Sequence, residues 1–476
     1  MPPRPPAPST LADLRAVVGA GGALDARADV APYVEDCRGL YHGTTPLVLL
    51  PSSVEDVARI LAICDRDGVA VVPQGGNTSY CGGATPGEHG GEIVIAMRRL
   101  NRIRSVDAAN DSMIVEAGCT LAAAQDAARA AGRLFPLSLG SEGSAQIGGN
   151  LSTNAGGTAV LRYGMMRDLT LGLEVVLADG RILRSLQPLR KDNTGYDWKS
   201  LFIGAEGTLG VITAAALKLF ALPADTATAL AGVPSPAAAL DLLMRLREHF
   251  GEAISSFELM PRRAVEMTVR HVDGVANPLT DEPSPWFVLV EIGASRAISD
   301  PTTRLGDALA AAADAATVSG AMLATSATQA QTFWRLRESV PEAQRRHGAS
   351  LKHDLSVPLS AIPRLIELGT ALIERVAPDG ETIAYGHVGD GNLHFNVSQR
   401  PGTDRAAFLA RQAPLQAAMF DLTTGLGGSF SAEHGIGRLK VDELERRTDP
   451  VEIDLMRTLK RALDPKGIMN PGKVLR

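Results

Sequence analysis

The sequence has no long apolar stretch that is free of charged or turn-forming residues. A membrane-spanning helix needs about 20 mostly apolar residues in succession, so we expect none here. The opening segment MPPRPPAPST is rich in proline and lacks an apolar stretch, which argues against a secretory signal. We expect residues 1–10 to form a frayed end.

Cysteine is scarce, because the 476 residues include only Cys37, Cys64, Cys81 and Cys119. So few cysteines in a chain of this length argue against a disulfide framework. No Cys-x-x-Cys pair is present, which excludes a zinc ribbon or a thioredoxin-like site. A reducing compartment is the simplest interpretation, and we predict a cytoplasmic protein.

Basic residues are not in excess, since 47 lysines and arginines face 53 aspartates and glutamates, for a formal net charge of −6. This balance argues against nucleic acid as a partner. No Gly-x-Gly-x-x-Gly follows a predicted strand, so a Rossmann-type nicotinamide site lacks its motif. GIMNPGKV (467–474) has the spacing of a P-loop, but a valine stands where serine or threonine is required.

Glycine is abundant, with 48 residues, and many gather in three tracts of the N-terminal half. The tracts are QGGNTSYCGGATP (74–86), GSEGSAQIGGNLSTNAGG (140–157) and GAEGTLG (204–210). Successive backbone N–H groups in glycine-rich turns form concave anion sites that no side chain blocks. One such tract more often marks a tight turn. Three within one half of the chain favour a large ligand with a pyrophosphate.

Apolar periodicity predicts two kinds of folding unit. Residues 45–51, 54–67 and 69–73 are typical of a strand, a helix capped by Ser53 and a second strand, which together form a β-α-β unit. After a boundary at residues 222–224, the predicted elements follow the order β-α-β-β-α-β. Beyond them we predict a helix over 329–346, a strand over 351–359, a hairpin over 382–397, and helices near 403–423 and 449–463.

Two of the nine histidines, His387 and His394, flank the predicted turn of that hairpin and can lie at one edge of the sheet. Glu433, which precedes His434, would complete a set of two histidines and one carboxylate. Such a set binds zinc and leaves a coordination position open for a substrate. Because no helical His-x-x-x-His fixes the geometry, two unrelated histidines are the open alternative.

Two cationic residues are candidates for binding an anionic substrate. Arg337 falls on a predicted amphipathic helix, and Lys352 falls in a predicted apolar strand. A solvated or ion-paired charge is the common alternative for either residue. The strand prediction turns Lys352 to the same face as Asp354, which is a competing ion-pair partner.

The order of these motifs resembles a known family. The segments are PQGGNTSYCGG (73–83), PLSLGSEGSAQIGGNLSTNAGG (136–157), RKDNTGYDWKSLFIGAEGTLGVIT (190–213), GHVGDGNLHFNV (386–397), SAEHGIG (431–437) and NPGKVL (470–475). Together they are similar to the FAD-dependent D-2-hydroxyacid dehydrogenases, which share the FAD-binding fold of vanillyl-alcohol oxidase and p-cresol methylhydroxylase (PCMH). The match runs from about residue 40 to the C-terminus, and residues 190–210 most resemble the D-2-hydroxyglutarate dehydrogenases of the family.

The resemblance implies an α+β fold in several parts. We expect a two-subdomain PCMH-type FAD-binding domain, a ferredoxin-like α+β substrate domain and a C-terminal helical segment that returns to the flavin. The expected boundaries are 1–40 for an N-terminal extension, 41–223 for the FAD-binding domain, 224–425 for the substrate domain and 426–476 for the C-terminal segment.

The resemblance also implies FAD contacts. The first glycine tract would wrap the pyrophosphate, the second would line the ribityl and isoalloxazine portions, and the third would meet the adenine end. The implied contacts are Pro73, Gln74, Gly75, Gly76, Asn77, Thr78, Ser79, Gly82, Gly83, Pro136, Gly140, Ser141, Gly148, Gly149, Asn150, Thr153, Asn154, Gly157, Glu206, Gly207, Gly210, Ile212 and Asn470. No histidine or cysteine stands where covalently flavinylated relatives attach the ring, so a non-covalent FAD is implied.

Metal and substrate ligands follow from the same resemblance. Zinc, or another divalent metal, would be bound by His387, His394 and Glu433. The substrate would be contacted by Arg337, Lys352, Asn396 and His434. A threonine of the family's substrate pocket aligns with Pro341 here, which removes a hydroxyl donor.

The implied reaction oxidises a small D-2-hydroxy dicarboxylate, D-2-hydroxyglutarate, to 2-oxoglutarate with transfer of a hydride to flavin N5. The metal would lower the pKa of the substrate hydroxyl, and His434 is the candidate general base. A D-lactate or D-malate dehydrogenase of the same family is one alternative, and a metal-dependent hydrolase is an alternative of another class. We expect an electron-transfer flavoprotein or a quinone as electron acceptor, and a homodimer as in many relatives.

Overall fold

The structure is a computed structural model that describes residues 4–19, 21–294 and 298–476. The chain divides into two units. Unit 1 comprises Met1–Gly156, Gly164–Leu222 and Glu433–Arg476, and unit 2 comprises Gly157–Tyr163 and Pro223–Ala432.

The elements are numbered in chain order. The helices are α1 (Pro8–Val18), α2 (Arg27–Val34), α3 (Val54–Asp67), α4 (Leu121–Ala130), α5 (Ile147–Ser152), α6 (Val160–Tyr163), α7 (Trp198–Phe202), α8 (Pro236–Phe250), α9 (Arg262–His271), α10 (Pro301–Asp314), α11 (Ala327–Glu338), α12 (Val340–His347), α13 (Ile362–Val376), α14 (Arg405–Leu409), α15 (Gln412–Gly425), α16 (Val441–Arg447) and α17 (Pro450–Leu463). The strands are β1 (Ala23–Leu24), β2 (Val48–Leu49), β3 (Ala70–Gln74), β4 (Glu92–Ala96), β5 (Ile103–Asp107), β6 (Ser112–Glu116), β7 (Arg133–Leu134), β8 (Thr170–Val176), β9 (Ile182–Ser185), β10 (Val211–Lys218), β11 (Phe220–Ala221), β12 (Asp225–Val233), β13 (Ile254–Pro261), β14 (Trp286–Ala294), β15 (Gly320–Leu323), β16 (Ser350–Leu351), β17 (Asp354–Ser356), β18 (Gly380–Tyr385) and β19 (Asn392–Gln399). Within the described residues, no helix has the length and apolar character needed to cross a bilayer.

Unit 1 contains a four-stranded sheet in the order β1-β2-β4-β3 and a five-stranded sheet in the order β5-β6-β10-β8-β9. The predicted β-α-β unit is confirmed, with β4 lying between β2 and β3 and parallel to both. Helix α3 has the predicted bounds, because the Ser53 side chain accepts a hydrogen bond from the Asp56 N–H and Gly68 adopts a left-handed conformation. The apolar face of α3 packs into the core of this sheet.

The prediction of a frayed end over residues 1–10 is wrong for its C-terminal part, since α1 begins at Pro8. Residues 1–3 lie outside the described residues. The Thr10 hydroxyl donates to the Asp67 carboxylate at 2.7 Å, and Leu14 is fully buried in the core that contains α3. Proline at the first turn of a helix is favourable, so it marked a helix start here.

Unit 2 contains a four-stranded antiparallel sheet in the order β13-β14-β12-β15. Helix α8 connects β12 to β13, and α10 lies between β14 and β15. This is the predicted ferredoxin-like arrangement, with α9 added between β13 and β14. Helices α9, α11 and α12 share an apolar core with β12, β13 and β14.

The second sheet of unit 2 is built on the predicted hairpin of β18 and β19. Strands β16 and β17 pair with the other edge of β19. The turn between β18 and β19 contains a short 3₁₀ helix, Val388–Asp390, and ends at Gly391 with φ of +91°. The register places His394 of β19 opposite Tyr385 on one side and Asp354 on the other.

Three predicted elements of unit 2 are interrupted, one of them the helix expected near 403–423, which is two helices, α14 and α15. The single helix expected over 329–346 is two helices, α11 and α12, that meet at Ser339. Pro341 lies in the first turn of α12 and has no N–H to bond the carbonyl four residues earlier, so the first helix cannot continue through it.

The strand expected over 351–359 is also broken, into β16 and β17. His353 lies at the break, where its ring Nδ1 contacts the Phe395 carbonyl at 2.8 Å and its own carbonyl accepts from the Phe395 N–H. Lys352 is therefore outside both strands, and the strand alternation that placed it on the face of Asp354 does not apply.

Candidate active site

The glycine tracts predicted to bind FAD lie against one another within unit 1. A Cβ on Gly76 would lie 2.0 Å from the Ser144 carbonyl oxygen, so only glycine allows the first tract to approach the second. A Cβ on Gly83 of the first tract would lie 3.0 Å from Glu206 Oε2 of the third. The structure thus brings the first tract together with the second and with the third.

Asn470 joins these tracts from the far end of the sequence. Its side-chain amide donates to the Gly83 carbonyl at 2.9 Å and to the Glu206 carbonyl at 2.7 Å, and its backbone N–H donates to Val71. Asn470 and Glu206 both have positive φ, at 42° and 50°. Non-glycine residues in this conformation are uncommon and concentrate at functional sites.

Unsatisfied polar atoms in this region fit a large polar ligand. Gln146 Oε1, Asn150 Nδ2 and Asn470 Oδ1 are buried and have no hydrogen-bond partner among the described residues. A Cβ on Gly140 or Gly149 would meet no atom within 4 Å, so open space adjoins the backbone there. Buried polar atoms are normally hydrogen-bonded, so these three need polar partners, which a ligand with ring, ribityl and phosphate groups such as FAD would supply.

Some of the implied FAD contacts also serve the protein itself. A Cβ on Gly210 would lie 2.8 Å from Val175 Cγ1, and Ile212 is buried in β10. The Asn77 side chain donates to backbone carbonyls of residues 32 and 35. Gly157 belongs to unit 2, whereas the other implied FAD contacts belong to unit 1.

The Glu206 carboxylate holds the C-terminal segment 433–437 within unit 1. It is buried and accepts hydrogen bonds from the Ile436 N–H at 2.7 Å and the Gly437 N–H at 2.8 Å. Burial raises the pKa of Glu206, although these two bonds and the charge of Lys440 act in the opposite direction. Each carboxylate oxygen of Glu206 thus accepts a hydrogen bond from the backbone, which leaves little hydrogen-bonding capacity for a ligand.

His434, the candidate base, lies in this segment. Its Nε2 is 3.8 Å from a carboxylate oxygen of Glu433, and the Tyr80 ring meets its imidazole edge-on at 4.8 Å between centroids. The Gly435 carbonyl accepts from the Cys81 thiol at 3.4 Å. His434 and Glu433 are therefore next to the first glycine tract, within unit 1.

In unit 2 a buried carboxylate that the sequence analysis missed joins two predicted site residues. Glu258 accepts from Arg337 Nε at 2.7 Å through one oxygen and contacts His387 Nδ1 at 2.6 Å through the other. Burial alone would raise the pKa of Glu258, but the charges of His387 and Arg337 and their hydrogen bonds outweigh it and hold the pKa at about 2. The carboxylate is therefore charged at any ordinary pH.

Strand pairing explains why Glu258 meets His387. Leu259 and Gly386 exchange backbone hydrogen bonds at 2.9 and 3.0 Å, which sets β13 beside the chain that follows β18. The preceding and following residues, Glu258 and His387, are then neighbours. A signal was present in the sequence, because a glutamate in the apolar strand ISSFELMP must be paired if it is buried.

His387 and His394 come together as predicted, with ring centroids 5.4 Å apart. His394 also packs against Tyr385 at 5.2 Å, and its Nδ1 is 3.7 Å from an Asp354 oxygen. The Asn392 side chain donates to Asp354 at 2.9 Å. Within unit 2, the two imidazoles and the nearby Asp354 carboxylate are ligand types that a divalent metal accepts.

The three predicted substrate residues of unit 2 differ in their surroundings. Arg337 is 5% exposed, and its Cζ lies 4.9 Å from the centroid of the Tyr385 ring. Lys352 is half-buried. Asn396 is buried, and its amide donates to Gln344 Oε1 at 2.9 Å and accepts from the His353 N–H at 3.3 Å.

Comparison with known proteins identifies the family. The family of FAD linked oxidases, C-terminal domain, matches residues 222–474, and an FAD binding domain matches residues 45–185. The chain belongs to the FAD-linked oxidases. This FAD-linked oxidase uses FAD as cofactor and is an FAD-dependent dehydrogenase, as the motifs predicted. The alternative of a metal-dependent hydrolase has no support.

Individual relatives of this FAD-linked oxidase agree with that result. The D-2-hydroxyglutarate dehydrogenase of Bos taurus is 40% identical over 466 residues, which cover 98% of this chain and 83% of the relative. The D-2-hydroxyglutarate–pyruvate transhydrogenase DLD3 of Saccharomyces cerevisiae is 34% identical over 98% of this chain and 94% of its own. The crystal structure of p-cresol methylhydroxylase with substrate bound has a TM-score of 0.77 at 16% identity, over 98% of this chain and 96% of that chain. The PCMH-type fold is thereby confirmed.

The comparisons also correct the predicted location. The Bos taurus relative and others from Oryza sativa, Arabidopsis thaliana and Rattus norvegicus are named as mitochondrial proteins. The cytoplasmic prediction is therefore wrong. It was drawn from the scarcity of cysteine, which reports the redox state of a compartment and does not distinguish between reducing compartments.

Proposed function

We propose that this chain oxidises D-2-hydroxyglutarate to 2-oxoglutarate with a non-covalently bound FAD. The observation that carries the proposal is the similarity, over nearly the whole chain, to relatives named for this substrate. The site residues implied by the motifs, with charges suited to a dicarboxylate, support it. When bound, FAD accepts the hydride released from carbon 2 of the substrate.

The chain would hold FAD mainly through backbone. The three glycine tracts approach one another closely, and backbone N–H groups of glycine-rich turns, which carry no obstructing side chain, would suit a pyrophosphate. The unsatisfied polar atoms of Gln146, Asn150 and Asn470 would bind polar groups of the cofactor. None of these contacts requires a covalent bond to the chain.

Two cations would bind the two substrate carboxylates. Within the described part of the chain, only the Nε of Arg337 donates a hydrogen bond. Its two Nη groups would therefore bind one substrate carboxylate through a pair of parallel hydrogen bonds. Lys352 would give a point charge to the second carboxylate. A monocarboxylate such as lactate needs only one of these cations, which favours the dicarboxylate.

A divalent metal bound by His387, His394 and Glu433 would act as a Lewis acid on the substrate hydroxyl. The contact of His387 Nδ1 with Glu258 supports this assignment, because metal-ligating histidines usually donate their second ring nitrogen to a carboxylate or carbonyl. His387 would then ligate through Nε2. His394 is held by Tyr385 and Asp354 on the neighbouring strands.

His434 would accept the hydroxyl proton, since an imidazole titrates near working pH. The test is stopped-flow reduction of the flavin with His434→Ala, which should slow reduction about a hundredfold or more. His249→Ala, at an exposed position of α8, is the matched control and should reduce at the wild-type rate. An unchanged rate in His434→Ala would remove His434 from the role of base.

The decisive experiment for the function is anaerobic mixing of the purified flavoprotein with single acids. Bleaching of the flavin band by D-2-hydroxyglutarate, and not by the L enantiomer, is the expected result. Bleaching by D-lactate or D-malate alone would keep the reaction type and replace the substrate.

The electron acceptor is tested in the same cuvette. We propose an electron-transfer flavoprotein or a quinone as the acceptor, and the name of the yeast relative adds pyruvate to the panel. Each is added to the reduced enzyme without oxygen. The acceptor that restores the flavin band within the time of one turnover is the one used.

A further inference from the structure

Glu258 is placed to do more than neutralise a buried charge. We propose that Glu258 is a positioning residue that fixes the substrate-binding Arg337 and the metal-ligating His387 in one rigid arrangement. The proposal rests on the proposed function, because it takes the roles of Arg337 and His387 from there. It adds that one carboxylate sets the geometry of both the metal site and the substrate anchor.

The geometry assigns one oxygen of Glu258 to each partner. Arg337 Nε is 2.7 Å from Oε2, and His387 Nδ1 is 2.6 Å from Oε1. The Glu258 side chain is only 1% exposed, so water does not compete for either contact. The three residues lie on β13, on α11 and in the turn after β18, which are far apart in the sequence.

Each partner is also restrained from a second direction. The Arg337 guanidinium lies over the Tyr385 ring at 4.9 Å, so the bond to Glu258 and the aromatic face together define its plane. The His387 ring is set by Glu258 at Nδ1 and meets the His394 ring edge-on at 5.4 Å. Fixing Nδ1 would also fix the tautomer, which would leave Nε2 as the nitrogen available to a metal.

Burying the Glu258 ion pair costs desolvation free energy, which a purely structural role would not explain. Replacing a buried ion pair by apolar residues of similar volume is often neutral or stabilising, so such a pair is weak support for stability. A pair that orients two site residues has a functional reason to be retained. The two explanations predict different behaviour for a variant that keeps the shape of the side chain and removes its charge.

The test compares Glu258→Gln with wild type and with Glu291→Gln. Glu291 lies on the adjacent strand β14 and accepts from Trp334 Nε1 at 2.8 Å, so it is a matched glutamate of the same sheet without a role in the site. Metal-depleted enzyme is titrated with Zn²⁺, FAD content is read from the visible spectrum, and kcat and KM are measured separately. Wild type is measured first, and if it neither binds Zn²⁺ nor oxidises the acid, the proposed function fails, whatever Glu258 does.

We expect Glu258→Gln to retain FAD and secondary structure. One amide oxygen cannot replace two carboxylate contacts, so Zn²⁺ affinity should fall 10- to 100-fold and KM should rise, while Glu291→Gln matches wild type. Glu258→Asp, which keeps the charge, should recover part of the Zn²⁺ affinity. Wild-type Zn²⁺ affinity and KM in Glu258→Gln would overturn the proposal. Failure of both variants to fold would also overturn it, since Glu258 would then be structural.

Discussion

Replacing Glu206 tests how unit 1 holds its C-terminal segment. Glu206→Ala removes the acceptor of two buried backbone N–H groups, those of Ile436 and Gly437. Each unsatisfied donor costs about 1–3 kcal/mol, for a total of about 2–6 kcal/mol. Burial raises the pKa of Glu206, so removal of the carboxylate also relieves a desolvation cost. We therefore expect the free energy of unfolding to fall by about 2–4 kcal/mol, the lower part of that range.

The assay is thermal unfolding of the purified flavoprotein, followed by circular dichroism and by flavin fluorescence. For a chain of 476 residues, a loss of this size corresponds to a decrease in melting temperature of about 2–4 °C. The control is Glu55→Ala, which removes an exposed carboxylate, 61% exposed, that pairs with Arg184 at 3.1 Å. An exposed ion pair contributes about 0–1 kcal/mol, so this variant should melt close to wild type.

The rate of flavin reduction is a second measurement on Glu206→Ala. His434 lies two residues before Ile436, so a segment that has lost both bonds to Glu206 would place His434 less well. Glu206→Ala should then reduce its flavin more slowly well below its melting temperature, whereas Glu55→Ala should not. If Glu206→Ala melted within about 1 °C of wild type, the two hydrogen bonds would not hold the segment and the reasoning would fail.

Three further predictions concern titration, thiols and substrate choice. Burial lowers the pKa of Lys473 to about 8, although the charge of Glu92 opposes the shift. Between about pH 8 and 10 the unfolded chain therefore binds more protons than the folded chain, and the free energy of unfolding rises with pH. In urea unfolding, Lys473→Met should flatten that rise, whereas Lys191→Met, at an exposed position, should not. Of the four cysteines only Cys37 is exposed, so a thiol reagent should modify one cysteine quickly in the native enzyme and the other three on unfolding, and a second fast thiol would contradict this. Pro341→Thr restores a hydroxyl donor, so kcat/KM for D-2-hydroxyglutarate should rise about tenfold relative to D-lactate, and an unchanged ratio would remove Pro341 from the substrate site.

The sequence predicted those helices and strands whose ends are marked by local capping or turn residues. Helix α3 has a capping serine and a C-terminal glycine, and the hairpin of β18 and β19 has an Asp-Gly turn. The insertion of β4 between β2 and β3 could not be predicted, because strand order depends on contacts between distant residues. The break between β16 and β17 depends on a bond from the His353 ring to a carbonyl of β19, which no local pattern reveals.

The same distinction holds for the candidate site. The glycine tracts were predicted as a group, because their backbone chemistry is visible in composition, and the structure brings them together. The residue types of His387, His394 and Arg337 were sufficient to mark them as candidates. Their relation through Glu258 was not predictable, because it depends on the pairing of Leu259 with Gly386 across more than a hundred residues.

The charge state of Glu258 limits what can cause a pH dependence in this enzyme. Since its pKa is held at about 2, protonation of Glu258 begins only in strong acid, and its contacts with Arg337 and His387 persist across the working range. A change of rate near neutral pH must then come from another group, and histidine is the side chain that ordinarily titrates there. If His434 is the base, the pH–rate profile for flavin reduction should lose its near-neutral limb in His434→Ala and keep it in Glu258→Gln. A limb that persists in His434→Ala would assign the proton transfer to a different residue.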